Sequence, residues 1–267
     1  QYVRMNQQYR IGFLGTGKMG AAIIRGLAAD DPNLDILAFD PHPNSELIQK
    51  VPGLTYADSG LALEESCDVI VLCVKPQDLA TALKGFTGQR RYISIAAGVS
   101  TDRIRGFLAA GQNTQISRVM PNISATVGHA VSGIYCVDDT FFGTVQGIFE
   151  KVGIVVRVAT EDLLHAVTGL AGSGPAFVFS FVQALAEGGV AAGLTYEAAR
   201  RMACDTIVGS IALLNASDEH PDVWRNRVTS PAGTTIAGLQ VLEENGFHGA
   251  VMGAVQSAAR RSRELGG

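Results

Sequence analysis

Between residues 10 and 160 short apolar runs alternate with amphipathic stretches, and beyond 160 the segments lengthen and become rich in alanine. The first rhythm predicts parallel strands joined by crossover helices, with candidate strands at 11–14, 35–39, 69–74, 92–96, 115–120, 133–137 and 154–158. The run 69–74 reads Val-Ile-Val-Leu-Cys-Val. It has no polar alternation, as expected of a strand covered on both faces, so it belongs in the middle of the sheet. The second rhythm predicts helices over 161–170, 175–192, 196–215, 235–244 and 249–263. Thr160, Glu161 and Asp162 supply an N-cap and an acidic first turn, which puts the boundary near 160. The expected architecture is an α/β domain over 8–160 followed by an all-helical domain over 161–267.

The most apolar window, 174–194, carries Gln183 and Glu187 in its middle and glycines at 174, 188, 189 and 193. Its uninterrupted stretch falls short of the roughly 20 residues of a membrane span, so it reads as a buried helix and no membrane partner is expected. Gly188, Gly189, Ala191, Ala192 and Gly193 let helices approach closely. A helical half with so many small apolar surfaces buries them against a second copy of itself, which predicts at least a homodimer.

Composition narrows the partners. The 267 residues are 17% charged, too few for a long solvating tail, and 21 basic residues face 25 acidic ones. The resulting −4 argues against nucleic acid or an anionic membrane and favours a small-molecule ligand. The four cysteines, 67, 73, 136 and 204, form no C-x-x-C and have no histidine at metal-ligand spacing. No metal site and no structural disulfide are predicted, and reduced, buried thiols fit a cytoplasmic protein. The polar stretch 1–10 lacks the apolar region of a secretory signal.

Gly15, Thr16, Gly17, Lys18, Met19 and Gly20 match G-x-G-x-x-G after a predicted strand and at the start of a helix whose apolar side carries Met19, Ile23 and Leu27. Gly15 permits the turn, Gly17 lets backbone approach a pyrophosphate, and Gly20 lets helix pack on strand. The α/β half therefore reads as a Rossmann-type dinucleotide-binding domain. Asp40 ends the second strand 20 residues beyond Gly20, where this fingerprint expects an acid for the adenosine ribose. A 2′-phosphate there would meet a like charge with no Arg or Lys between Phe39 and Gln49, so NADH is favoured over NADPH, although Asp40 could also cap the turn at Pro41. Val74, Lys75 and Pro76 leave the central strand at the edge where open α/β sheets bind ligands. Ala96, Ala97 and Gly98 leave the next strand with room for a flat nicotinamide ring, and Asn122, after Met120 and Pro121, closes another at that edge, as a ligand contact or as a turn residue.

In the helical half, Thr229, Ser230, Pro231, Ala232, Gly233, Thr234 and Thr235 set hydroxyls against the start of a helix bearing Ile236, Leu239 and Leu242. Such an end favours a carboxylate, whereas an ordinary Ser or Thr cap would use one hydroxyl and leave the others unexplained. The stretch 228–243, VTSPAGTTIAGLQVLE, resembles the signature of pyrroline-5-carboxylate reductases. The resemblance extends through GFLGTGKMG at 12–20, VKPQ at 74–77, VMPN at 119–122 and TGLAGSGPAF at 168–177, in family order. It implies reduction of 1-pyrroline-5-carboxylate to L-proline with NADPH or NADH, the last step of proline synthesis, in dimers often assembled into decamers. It further implies that Ser230, Gly233, Thr234 and Thr235 hold the cyclic imino acid, with Thr235 nearest the imine. Ser230 and Thr235 are thus the candidate catalytic residues. The chain departs from the pattern at Gly60, Ile123, Ser124, Ala171 and Phe177. A dehydrogenase of the β-hydroxyacid type would need a catalytic lysine in the second domain, and no lysine follows Lys151. A noncatalytic dinucleotide sensor would need no hydroxyls around a second anion site.

Overall fold

The computed structural model describes residues 10–109 and 113–266. The N-terminal stretch 1–9, on which the reading of a missing secretory signal chiefly rests, lies outside the described residues. So do residues 8 and 9 at the start, and 267 at the end, of the expected domains.

The α/β half runs β1(Ile11–Leu14), α1(Lys18–Asp30), β2(Ile36–Phe39), α2(Ser45–Lys50), β3(Leu54–Tyr56), α3(Gly60–Ser66), β4(Val69–Leu72), α4(Leu79–Ala82), β5(Arg91–Ser94), α5(Thr101–Arg105), β6(Ile116–Met120), β7(Ala130–Tyr135), α6(Asp139–Phe149) and β8(Gly153–Arg157). Among the described residues these strands form one sheet in the order β3-β2-β1-β4-β5-β6-β7-β8. The unbroken run β4 lies at its centre, buried along its whole length, each side chain contributing roughly 1.5–3 kcal/mol by leaving water. Two apolar cores flank the sheet. One gathers Ile23, Ile24 and Leu27 of α1 with Phe141 and Phe149 of α6; the other gathers Leu63, Leu79, Phe86 and Tyr92.

Two expectations need correction. The strands are not all parallel: β7 pairs with β6 antiparallel, and β8 then pairs parallel with β7. The connection 121–129 is too short for a parallel crossover, which takes a dozen or more residues. The three-residue edge strand β3 was also missed, because Leu-Thr-Tyr is too short to show a period.

Contacts divide the chain into one unit that runs to Ser173 and resumes at Gln256, and a second unit, Gly174–Val255. This division by contacts differs from the boundary near 160, because the segment after 160 and the end of the last helix pack with the α/β half. α7(Leu163–Val167) packs on β6 and β7, with Leu164 buried and Val167 against Gly133. The end of the last helix returns to α7: Arg263 donates to both oxygens of Asp162 at 3.1 and 3.0 Å, and His165 Nδ1 lies 2.9 Å from Ser262 Oγ.

The second unit holds α8(Gly174–Ala191), α9(Tyr196–Asn215), α10(Pro221–Arg227), α11(Thr234–Glu244) and the start of α12(Phe247–Gly266). Small residues bring α8 and α9 together, since a Cβ on Gly189 would lie 2.9 Å from that of Ala199. The expected burial of α8 fails within the single chain. Of its residues only Ala186 is buried, and Phe179 is 66% exposed, because among the described residues of the second unit no further layer covers the helix. The helical run Leu163–Ala191 is long and apolar enough, by length and composition, to cross a membrane.

Candidate functional site

Each glycine of the loop between β1 and α1 has a distinct environment. Gly15 is at φ +98°, donates its N–H to Phe39 O at 2.8 Å, and lies against the Cys73 backbone and Val74. A Cβ on Gly20 would stand 2.6 Å from Gly15 O, whereas one on Gly17 would meet nothing within 4 Å. Two glycines thus hold loop, helix and strand together, and the third leaves its face open. Gly17 caps α1 without a side chain, and the first turn carries no acid, so its N–H groups and partial positive charge remain free for an anion. This cradle fits a dinucleotide pyrophosphate. Lys18 is exposed, while Met19 packs on the core.

Asp40, expected at the adenosine ribose, is bonded within the chain itself. Its Oδ2 accepts from Thr16 N at 2.7 Å and Thr16 Oγ1 at 3.0 Å, and its Oδ1 accepts from His42 N at 2.9 Å. The carboxylate therefore ties the end of β2 to the glycine loop, and the hydroxyl of buried Thr16 is spent on that bond. A carboxylate has about four acceptor positions, so room for a ribose hydroxyl remains. Under this loop burial raises the Cys73 thiol well above its ordinary range; Cys67, beside Gly12, is pushed up to about 11 by the same cause.

At the carboxyl edge, half-buried Val74 leads into exposed Lys75 and Pro76. Lys75 has no ion-pair partner among the described residues. Ala96 is buried, Ala97 exposed, and Gly98, at φ +76°, meets the last turn of α12, with a Cβ there 3.0 Å from Gly266 Cα. Glu161 braces this edge by accepting from Thr101 N (2.7 Å), Thr101 Oγ1 (3.0 Å) and Arg118 Nη1 (3.1 Å). Together Pro76, Gln77, Ala97 and Gly98 form one wall of a cavity of about 630 Å³. Its other walls carry Thr168 and Ser173, and Arg261, Ser262 and Leu265 of α12. Periodicity could not find these residues, because nothing local says that the C-terminal helix ends on the first unit; only the motif TGLAGSGPAF signalled part of them.

Asn122 is not among the residues that line this cavity. It is buried, its Nδ2 donates to Ala171 O at 3.0 Å, and its Oδ1 accepts from Val131 N at 3.3 Å.

In the second unit, Ala232 adopts φ +57°, and Gly233 returns its N–H to Ser230 O at 3.1 Å. A Cβ on Gly233 would lie 2.2 Å from Ser230 Oγ, so any larger residue there would force that hydroxyl to turn away. Gly233 caps α11 with no side-chain hydrogen bond. An ordinary hydroxyl cap is thereby excluded. Among the described residues the hydroxyls of Ser230, Thr234 and Thr235 have no hydrogen-bond partner, whereas Thr229 donates to Arg225 O at 2.7 Å.

Comparison with known proteins agrees with both halves. Residues 161–265 match the family described as pyrroline-5-carboxylate reductase dimerisation, and 10–98 match that described as NADP oxidoreductase, coenzyme F420-dependent. Pyrroline-5-carboxylate reductases of Methanosarcina acetivorans and Synechocystis are 38% and 39% identical, over 97% and 96% of this chain and 99% and 98% of theirs. The Coxiella burnetii pyrroline-5-carboxylate reductase structure superposes with a TM-score of 0.89 at 30% identity, over 98% of this chain and 100% of that one. The Plasmodium falciparum pyrroline carboxylate reductase, solved with NADP bound, superposes with a TM-score of 0.85 at 29% identity, over 97% and 98%. The glycine cradle, the uncapped hydroxyl loop and full-length kinship lead to one conclusion: the chain belongs to the pyrroline-5-carboxylate reductase family.

Proposed function

We propose that this protein reduces 1-pyrroline-5-carboxylate to L-proline, the last step of proline synthesis, in the cytoplasm. The observation that carries the reading is the uncapped N-terminus of α11 with three unpartnered hydroxyls beside it. The helix end attracts the substrate carboxylate, and Ser230, Gly233 and Thr234 hold it. Thr235 orients the ring nitrogen and offers it a hydroxyl as hydrogen-bond partner while the nitrogen gains its proton. No Asp or Glu lies within 228–240 to repel the anion.

Gly15, Thr16, Gly17, Lys18, Met19 and Gly20 hold the pyrophosphate of a nicotinamide dinucleotide, Asp40 takes the adenosine ribose, and Val74, Lys75, Pro76, Ala96, Ala97 and Gly98 border the nicotinamide. When bound, the reduced dinucleotide supplies the hydride for the C=N carbon. The chain's contribution is orientation, which makes the reacting pair effectively intramolecular. NADH is the preferred form, because Asp40 keeps a carboxylate where the 2′-phosphate of NADPH would sit. The exposed apolar faces of the helical unit bury against a second copy, so a homodimer is the minimal assembly, with decamers as the family resemblance implies.

The test mixes protein and pyrroline-5-carboxylate with NADH or NADPH and follows absorbance at 340 nm. Loss of absorbance with proline formed in equal amount is expected; none with either dinucleotide would favour a sensor. A higher kcat/KM with NADPH would overturn the argument from Asp40.

A further inference from the structure

Between α7 and α8 the helix widens into a π-helical turn, Thr168–Gly172, closed by Ser173 N donating to Thr168 O at 2.9 Å. Such turns free backbone carbonyls and recur at functional sites. In a continuing α-helix the Ala171 carbonyl would accept from the N–H four residues on, but that residue is Pro175, which has none. The missing donor comes from elsewhere in the fold: Asn122 Nδ2, at 3.0 Å. The end of β6 also touches the turn through Met120, whose Cε would lie 2.9 Å from a Cβ on Gly172. Thr168 and Ser173, whose hydrogen bond closes the turn, line the same cavity as Ala97 and Gly98.

We infer that Asn122 is a positioning residue for the reaction: by holding the Ala171 carbonyl it sets the π-helical turn, and with it Thr168 and Ser173, against the nicotinamide side of the cavity. This rests on the reductase reading above. Other bonds leave Asn122 little else to do. Its Oδ1 is taken by Val131 N, and the residue is only 8% exposed.

The test is Asn122→Asp in the full-length protein. The side chain keeps its shape and its acceptor for Val131, but loses the donor and sets a carboxylate against the Ala171 carbonyl. Expected is a fall in kcat of about 10–100-fold, the usual cost of slight misplacement. The Kd for NADH should change less than about twofold, since the bonds of Asn122 run to Ala171 and Val131 and none to the glycine loop. A merely structural role would lower the thermal midpoint and leave kcat of the folded protein intact. That outcome, or equal losses in kcat and NADH affinity, overturns the inference. Should Asn122→Asp not fold, Thr168→Val serves, as it removes only the hydroxyl bonded to Leu164 O at 2.8 Å. It should show the same selective fall in kcat, and wild-type kcat in that variant refutes the role of the turn. Wild-type protein without turnover would instead defeat the reductase reading itself.

Discussion

Glycines 17 and 20 are one turn apart, yet only one of them is demanded by the fold. Alanine at 20 would press its methyl against Gly15 O, and overpacking of this kind costs about 1–3 kcal/mol, so Gly20→Ala should lower the thermal midpoint of the free protein by several degrees. Alanine at 17 meets open space. Gly17→Ala should leave the midpoint unchanged while weakening NADH by about 10–100-fold, equivalent to one hydrogen bond to a charged group, as measured by calorimetric titration. Equal effects of the two substitutions on NADH binding would deny the loop its role. At the other anion site, Ser230→Ala and Thr235→Ala should each lower kcat/KM for the imine by about 10–100-fold with NADH affinity retained. Unchanged kinetics in both would remove that loop from the site. The spacing of the glycines made these roles legible in the sequence. The bond from Thr16 to Asp40 was not, because it depends on how β2 lies beside β1.

At the scale of elements, the junction between α7 and the end of α12 carries a pH-sensitive group. Burial lowers the pKa of His165, with Arg118 and Arg263 acting in the same sense and Asp162 and Glu161 opposing. The folded state therefore binds fewer protons than the unfolded one. The resulting stability is complete above the ordinary histidine value of 6.5 and is lost as the pH falls through the lower, folded value. Asp162, held below the ordinary carboxylate range by its bonds to Arg263, adds its own loss further down in acid. Thermal midpoints recorded from pH 7.5 to 5 should fall more steeply for the wild type than for His165→Gln; parallel curves would rule His165 out. Helices with strong periodicity were predicted to the residue for α9 and within one residue for α11. The π-helical turn was not, since it arises from a proline and an asparagine 53 positions apart in sequence.

For the whole molecule, the decisive surface is the apolar one on the helical unit. Phe179, Val208 and Met252 are each more than half exposed in the single chain, far from the usual state of such side chains. Phe179→Glu should shift the sedimentation profile from dimer or larger to monomer and lower the thermal midpoint, because burying an unpaired charge costs several kcal/mol. An unchanged profile would place the interface elsewhere.

The succession of an α/β half and a helical half, the central position of β4, the glycine turn between β1 and α1 and the loop before α11 followed from the sequence alone, because each rests on local periodicity, turn chemistry or backbone size. What the chain could not reveal locally was the return of α12 to the first unit and the bond from Asn122 to Ala171. Both depend on groups distant in sequence satisfying one another's hydrogen bonds and packing, and only the folded chain brings those groups together.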